Sequence, residues 1–172
     1  MRDLLNIIVA ACFVVQVANA DEALTLDERI VALTLLGEAR GEGERGMFAV
    51  ACVIQRRAEN GDLSAARVCR VPYQFSVWNA GKGEVKEERE LYDLWKSKSS
   101  PTARRLAKSV CDKKIWLADI TNQADHYYSK KYMKKPPYWA FKTISLPNGE
   151  KIKKPIKPVA VVGNHVFYKL CN

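Results

Sequence analysis

The residue best placed for acid/base chemistry is Glu38, in the stretch LLGEARGEG. It follows an almost uninterrupted apolar run, and Val31 and Leu35 precede it by seven and three residues, on the same face of a helix. Apolar surroundings disfavour the charged carboxylate, and the negative end of the helix dipole disfavours it again. Such a carboxyl group can hold a proton and donate it to a leaving oxygen. An ordinary glutamate paired with Arg40 is the structural alternative.

The element that must position Glu38 is predicted to be a buried helix. Thr25 and Glu28 have the spacing of a capping box, so the helix is expected to run from Leu26 to about Arg40. Its interior is apolar on nearly every side, which is typical of a helix enclosed by other elements. Glu38 would therefore lie where an enclosed helix ends.

A second helix is predicted over Arg45–Asn60, where apolar residues recur at three- and four-residue spacing. Gly61 is a typical residue for its end. Arg56, Arg57 and Glu59 are expected to face water.

The rest of the chain is predicted to contain shorter elements. Residues 62–83 are expected to form a structured loop, residues 84–96 a helical segment and residues 100–114 a fourth helix. Two strands at 142–146 and 151–153 are expected to form a hairpin around Asn148-Gly149. The predicted fold class is mainly α (α+β), with a central buried helix and a small β-hairpin.

The first 20 residues have the pattern of an export signal. Arg2 precedes an apolar run over Leu4–Val17, and Ala18-Asn19-Ala20 suits a signal peptidase. An uncleaved membrane anchor is the alternative, but the run is shorter than the roughly 20 apolar residues that a spanning helix needs. We expect a protein exported to the periplasm, the extracellular space or the cell wall, with residues 21–172 as a single catalytic domain and membrane contact only through the signal segment.

Charge is distributed unevenly along the chain. Residues 21–95 contain 10 Lys and Arg against 14 Asp and Glu, whereas residues 96–172 contain 17 against 4. A polyanionic partner such as a cell wall polymer is one explanation, and a solvated lysine-rich surface is the other. No motif supports specific binding of nucleic acid.

Four cysteines follow the export signal: Cys52, Cys69, Cys111 and Cys171. In an oxidising compartment they could form two disulfides, with three possible connectivities. No two of them are close in sequence and the chain has two histidines. A structural metal is therefore not expected.

Several separated sequence blocks together indicate a family. The stretch GEARGEGERGMFAVACVIQRR, the block CRVPYQFSVW at 69–78, DHYY at 125–128, YWA at 138–140 and GNHVFY at 163–168 occur in that order. They resemble the YGEARGEP…GQVAVAAVILNR, C…V…QFSxW, THYY and WA…GNHVFY blocks of the SleB-type cell wall hydrolases, first known as spore-cortex-lytic enzymes. The chain departs from that pattern at Leu36, at Asp125 and in a lysine-rich insertion at 142–161.

The resemblance implies a lysozyme-like, mostly helical fold and cleavage of peptidoglycan glycan strands, commonly by lytic transglycosylation. It implies that Glu38 is the catalytic glutamate, which acts without a cofactor in a monomeric protein. Glu38 would protonate the bond between N-acetylmuramic acid and N-acetylglucosamine and then accept the proton of the muramyl C6 hydroxyl. A catalytically silent protein that binds cell wall or another polyanion is the rival hypothesis.

Substrate-binding side chains are expected to line a groove around Glu38. Hydrogen bonds to acetamido or hydroxyl groups are expected from Gln74, Ser76 and Tyr128. Flat apolar faces for sugar rings are expected from Trp78, Tyr127 and Trp139.

Hydrolysis of a glycosidic bond ordinarily needs two carboxyl groups. Glu42 and Glu44 are candidates for the second one, although both follow Gly41 and are expected to lie in a loop. Asp125 is a third candidate. Because none is an evident partner of Glu38, the sequence favours transglycosylation, with a hydrolytic pair left open.

Overall fold

The computed structural model describes residues 23–171, so the predicted export signal lies outside the described residues. The α-helices are α1 (Leu26–Ala39), α2 (Gly43–Asn60), α3 (Ala65–Cys69) and α4 (Ser100–Cys111). Four 3-10 helices lie at Ser76–Trp78, Glu88–Lys96, Ile115–Ala118 and Tyr138–Ala140. The strands are β1 (Asn79–Gly81), β2 (Glu84–Val85), β3 (His126–Ser129), β4 (Phe141–Ser145), β5 (Lys151–Pro155), β6 (Ala160–Val162) and β7 (His165–Tyr168).

Helix α1 lies at the centre of the fold, as predicted. Thr25 Oγ1 accepts the Glu28 N–H at 3.2 Å, and Glu28 Oε2 accepts the Thr25 N–H at 2.7 Å, which completes the capping box. From Ile30 to Leu36 every side chain is buried, and α1 packs against α2, α3 and α4. The all-round apolar pattern therefore reflects a helix enclosed by three others.

All strand pairs are antiparallel, in three small sheets. β1 pairs with β2, β4 pairs with β5, and β7 lies between β3 and β6. The hairpin predicted around Asn148-Gly149 is the β4–β5 pair, and the mainly α (α+β) class is confirmed.

Two local predictions need correction. The helical segment predicted at 84–96 is confirmed only over Glu88–Lys96, as a 3-10 helix, because the range begins with strand β2. Residues 62–83 contain helix α3, with Ser64 Oγ as its N-cap acceptor. The β3–β7–β6 sheet was not predicted because each of its strands is only three or four residues long. Within residues 23–171, no helix is both long and apolar enough to cross a membrane.

Candidate active site

A cavity of about 500 Å³ opens where α1 ends. The segment 73–79 forms one wall, and β3 with residues 132–139 forms another. Of the residues predicted to be functional, the cavity is lined by Glu38, Gln74, Ser76, Tyr127, Tyr128 and Trp139. The tertiary structure thus brings together side chains that lie up to about 100 residues apart in sequence.

Both carboxylate oxygens of Glu38 accept hydrogen bonds from the cavity wall. Oε1 accepts the Ser76 hydroxyl at 2.9 Å and the Val77 N–H at 3.0 Å. Oε2 accepts the Tyr127 hydroxyl at 3.0 Å. The three donors therefore hold the carboxyl group in one orientation.

Gly37 allows the Ser76–Val77 segment to approach Glu38. A Cβ atom at position 37 would lie 2.1 Å from Val77 Cγ2, closer than two carbon atoms can pack. The glycine of the GEAR tetrapeptide therefore has a physical role beside the glutamate, because it makes room for the donors to Oε1.

Arg40 does not pair with Glu38. Its guanidinium donates to the carbonyl oxygens of Leu36 and Gly37, at 3.1 and 3.4 Å. A cation on the last carbonyls of a helix offsets the negative end of the helix dipole. The structural alternative of a Glu38–Arg40 ion pair is therefore wrong, and the dipole acts on Glu38 less than its position alone suggests.

Arg57 lines the cavity, which corrects the prediction that it faces water. Its Nε donates to the Asp125 carbonyl at 2.6 Å, and Nη1 donates to the Gln74 carbonyl at 3.4 Å. Burial lowers the pKa of Arg57 below its ordinary value, while nearby Tyr127 and Asp125 act in the opposite direction. Arg57 thus joins the two cavity walls and places a positive charge beneath the site.

Tyr127 packs between two rings of strand β7. Its ring lies 5.6 Å from the Phe167 ring and meets the His165 ring edge-on at 5.0 Å. Burial, and next the charge of Glu38, raise the pKa of Tyr127 well above its ordinary value. The hydroxyl therefore keeps its proton and remains a donor to Glu38 at physiological pH.

Trp78 does not line the cavity. Its side chain is 1% exposed, and its indole N–H donates to Thr34 Oγ1 at 2.8 Å. The prediction that Trp78 offers a flat face to sugar rings is wrong, because the tryptophan packs behind the cavity wall and anchors the segment that carries Ser76. Trp139 does line the cavity and packs against Tyr168 at 5.5 Å.

The three candidates for a second carboxylate are engaged elsewhere. Glu42 accepts the backbone and side-chain N–H groups of Asn164 at 3.0 and 2.9 Å, and those bonds lower its pKa. Glu44 pairs with Arg105 on the surface. Neither lines the cavity.

Asp125 is 2% exposed and binds the C-terminal segment. Oδ1 contacts His126 Nδ1 at 2.8 Å and accepts the Leu170 N–H at 2.9 Å, while Oδ2 accepts the Cys171 N–H at 2.6 Å. Burial alone would raise the pKa of Asp125, but these hydrogen bonds outweigh it and lower the pKa. Of the carboxylates in residues 23–171, Glu38 is the one that lines the cavity.

His165 is a cavity residue to which the sequence did not assign a role in the site. It is 2% exposed, and burial lowers its pKa, so the ring is neutral at physiological pH. Its Nδ1 has no hydrogen-bond partner among the described residues. The sequence block GNHVFY contains this histidine and could have indicated a role for it, but only the pairing of β7 with β3 brings His165 beside Tyr127.

The four cysteines of residues 23–171 are unpaired thiols. Burial raises the pKa of Cys52 and of Cys69 to about 12. Within the same residues, no three side chains of His, Cys, Asp or Glu form a group that could hold a metal ion.

Comparison with known proteins gives one match. A family model described as Cell Wall Hydrolase matches residues 41–168. No curated protein and no solved structure matches this chain. The matched range begins three residues after Glu38 and includes Ser76, Tyr127, Trp139 and the other cavity residues downstream.

Proposed function

Because this chain belongs to the cell wall hydrolase family, whose substrate is peptidoglycan, we propose that it cleaves the bond between N-acetylmuramic acid and N-acetylglucosamine, with Glu38 as general acid and base. The observation that carries the proposal is the setting of Glu38. It is the one carboxylate lining the cavity among residues 23–171, and three donors fix its two oxygens. The arrangement suits a mechanism with a single carboxyl group.

The proposed reaction is lytic transglycosylation. Glu38 donates its proton to the glycosidic oxygen as the bond from that oxygen to the muramyl C1 breaks. The muramyl C6 oxygen then bonds to C1, and the C6 hydroxyl proton returns to Glu38. A 1,6-anhydro sugar forms, no water is consumed, and the enzyme regains its starting protonation state.

The donors around Glu38 act in the first step. As Glu38 loses its proton, negative charge develops on both oxygens, and the bonds from Ser76, Val77 and Tyr127 strengthen with that charge. These donors are in position before the reaction, so little reorganisation is needed when the charge appears.

We propose that five cavity side chains bind the glycan strand. Gln74 is exposed and can donate to hydroxyl or acetamido groups, and the exposed Ser76 oxygen can accept from them while its O–H group still donates to Glu38. The half-buried rings of Tyr127 and Trp139 offer apolar faces to sugar rings, and the half-buried Tyr128 offers its hydroxyl for hydrogen bonds. Trp78 is left out of this set because it is buried.

Analysis of the products tests the proposal. The purified protein is incubated with peptidoglycan, and the soluble fragments are analysed by mass spectrometry. Anhydro-ended fragments support the proposal. Reducing ends with added water would indicate a muramidase, and the absence of fragments would indicate a protein that only binds the cell wall, so either result contradicts it.

The Glu38→Gln variant tests the role of the residue. The amide oxygen can still accept from Ser76 and Val77, and the amide nitrogen can donate to the Tyr127 oxygen, so the fold is expected to survive. Removal of a general acid lowers the rate by roughly 10²- to 10⁴-fold. Glu44→Gln is the matched control, because the same change at this exposed residue leaves the cavity intact. Similar activity in both variants would remove Glu38 from the mechanism.

We also propose that the protein is exported to the periplasm or the cell wall and that residues 21–172 act as one monomeric catalytic domain without a cofactor. The pattern of the first 20 residues supports export. Sequencing the N-terminus of the protein recovered from the producing cell checks this, with Asp21 as the expected first residue.

A further inference from the structure

The β4–β5 hairpin leaves the fold directly at the cavity wall. β4 begins at Phe141, two residues after Trp139, which lines the cavity. The Ile156 N–H donates to the Ala140 carbonyl at 2.8 Å and holds the base of the hairpin. The base of the hairpin therefore adjoins the cavity wall at Trp139.

The hairpin carries four exposed lysines, Lys142, Lys151, Lys153 and Lys154. Lys142 is the cross-strand partner of Lys154, and like charges placed opposite each other destabilise a strand pair. None of the four forms a salt bridge with any residue in the range 23–171. An external anion would relieve this repulsion.

A second group of exposed lysines borders the same cavity: Lys130, Lys131, Lys134 and Lys135. These lysines occur in two pairs on either side of Tyr132 and Met133, which line the cavity together with Pro137. We call these four residues and the four hairpin lysines the lysine ridge. The ridge thus flanks Trp139 on both sides in sequence.

The choice of residue indicates what kind of anion the ridge fits. After Arg105 the chain contains 13 lysines and no arginine. Lysine is a flexible point charge, whereas arginine recognises one carboxylate or phosphate group in a fixed two-pronged geometry. A ridge of lysines therefore suits anions that recur along a polymer in variable positions.

We propose that the lysine ridge binds the carboxylates of the peptide stems on the glycan strand that occupies the cavity. This inference rests on the proposed function, which places a glycan strand in the cavity. Uncrosslinked stems carry carboxylates at each muramyl residue, so their negative charges recur along the strand beyond the reacting bond. Lys131 and Lys134 adjoin Tyr132 and Met133 of the cavity lining, and Lys142 follows Trp139 by three residues, so both groups of lysines begin beside the cavity wall.

Binding measurements on two forms of the same polymer test the proposal. Glycan strands with stems are compared with strands from which an amidase has removed the stems. The ridge variant combines Lys142→Gln, Lys153→Gln and Lys154→Gln, and the control combines Lys96→Gln, Lys98→Gln and Lys113→Gln, with the same loss of charge at other exposed lysines. All proteins carry Glu38→Gln, so that strands are not degraded during measurement.

The ridge variant is expected to bind stem-bearing strands on the order of tenfold more weakly than the control, because three exposed charge contacts are lost. The dependence of its binding on salt is expected to fall as well. Both variants are expected to bind stripped strands equally. An equal loss in ridge variant and control, or an equal loss on stripped strands, would overturn the proposal, as would stronger ridge-dependent binding to polyphosphate.

Failure of the proposed function gives a different result. If the wild-type protein releases no fragments from peptidoglycan, the catalytic proposal fails, yet a stem-dependent difference in binding still supports the ridge. If fragments are released and the ridge variant binds as the control does, the ridge proposal alone fails.

Discussion

Replacing Tyr127 with phenylalanine isolates one donor to the Glu38 carboxylate. The change removes the hydroxyl that donates to Glu38 Oε2 at 3.0 Å. The ring keeps its contacts with Phe167 and His165, so the free energy of unfolding is expected to fall by about 1 kcal/mol or less. Ser76 and Val77 still hold Oε1, and the carboxylate therefore remains close to its present position.

The magnitude follows from the charge on Glu38. A hydrogen bond to a charged group contributes roughly 1.5–3 kcal/mol, and the lower figure suits a cavity open to water. Because this bond is strongest when Glu38 has given up its proton, its loss raises the barrier and not the ground state. A loss of about 1.4 kcal/mol corresponds to a roughly tenfold fall in kcat. KM is expected to change by about twofold or less, because the aromatic face remains.

The assay measures release of soluble fragments from peptidoglycan over a range of substrate concentrations, with thermal unfolding measured in parallel. Tyr92→Phe is the matched control, since Tyr92 is 54% exposed and does not line the cavity. An unchanged kcat in Tyr127→Phe would refute the reasoning.

Two further predictions concern the support of the site. Gly37→Ala is expected to lower fragment release by roughly tenfold or more, because the added methyl group displaces Val77 and its N–H from Glu38. The activity assay measures this loss, and circular dichroism is expected to show unchanged secondary structure. Wild-type activity in Gly37→Ala would contradict this. Asp125→Asn is expected to lower the free energy of unfolding by about 1–3 kcal/mol at neutral pH, measured by denaturant titration. The pKa of Asp125 is lowered in the folded state, so its stabilising effect is present above the unfolded-state pKa of about 3.9 and is lost as the pH falls through the folded-state pKa. A difference in stability between wild type and Asp125→Asn that persists well below the folded-state pKa would contradict this role of Asp125.

Local patterns in the sequence were sufficient to predict the secondary-structure elements around Glu38. The capping box at Thr25 predicts where α1 begins, and the apolar pattern predicts that the helix is enclosed, because both depend on neighbours within a few residues. The hairpin at Asn148-Gly149 was predicted for the same reason, since the turn residues set the pairing of the strands that flank them.

Long-range contacts account for the errors. Arg57 lies on the polar side of the α2 pattern, yet the Gln74 and Asp125 carbonyls cover it and convert a predicted surface residue into part of the cavity. Trp78 follows Ser76 closely in a block that resembles family members, but its N–H bonds to Thr34 on α1 and its ring is buried. Residue type alone does not distinguish a sugar-binding indole from a buried one.

The sequence by itself determined the family, the catalytic candidate Glu38 and the enclosed helix that carries it, because these follow from short blocks and from periodicity along one element. Only the tertiary structure decided which groups surround that carboxylate. Tyr127 reaches Glu38 through the pairing of β3 with β7, and Val77 reaches it through the space left at Gly37. The same packing engages Glu42 and Asp125 in hydrogen bonds away from the cavity, so that Glu38 is the one carboxylate of residues 23–171 in the cavity lining.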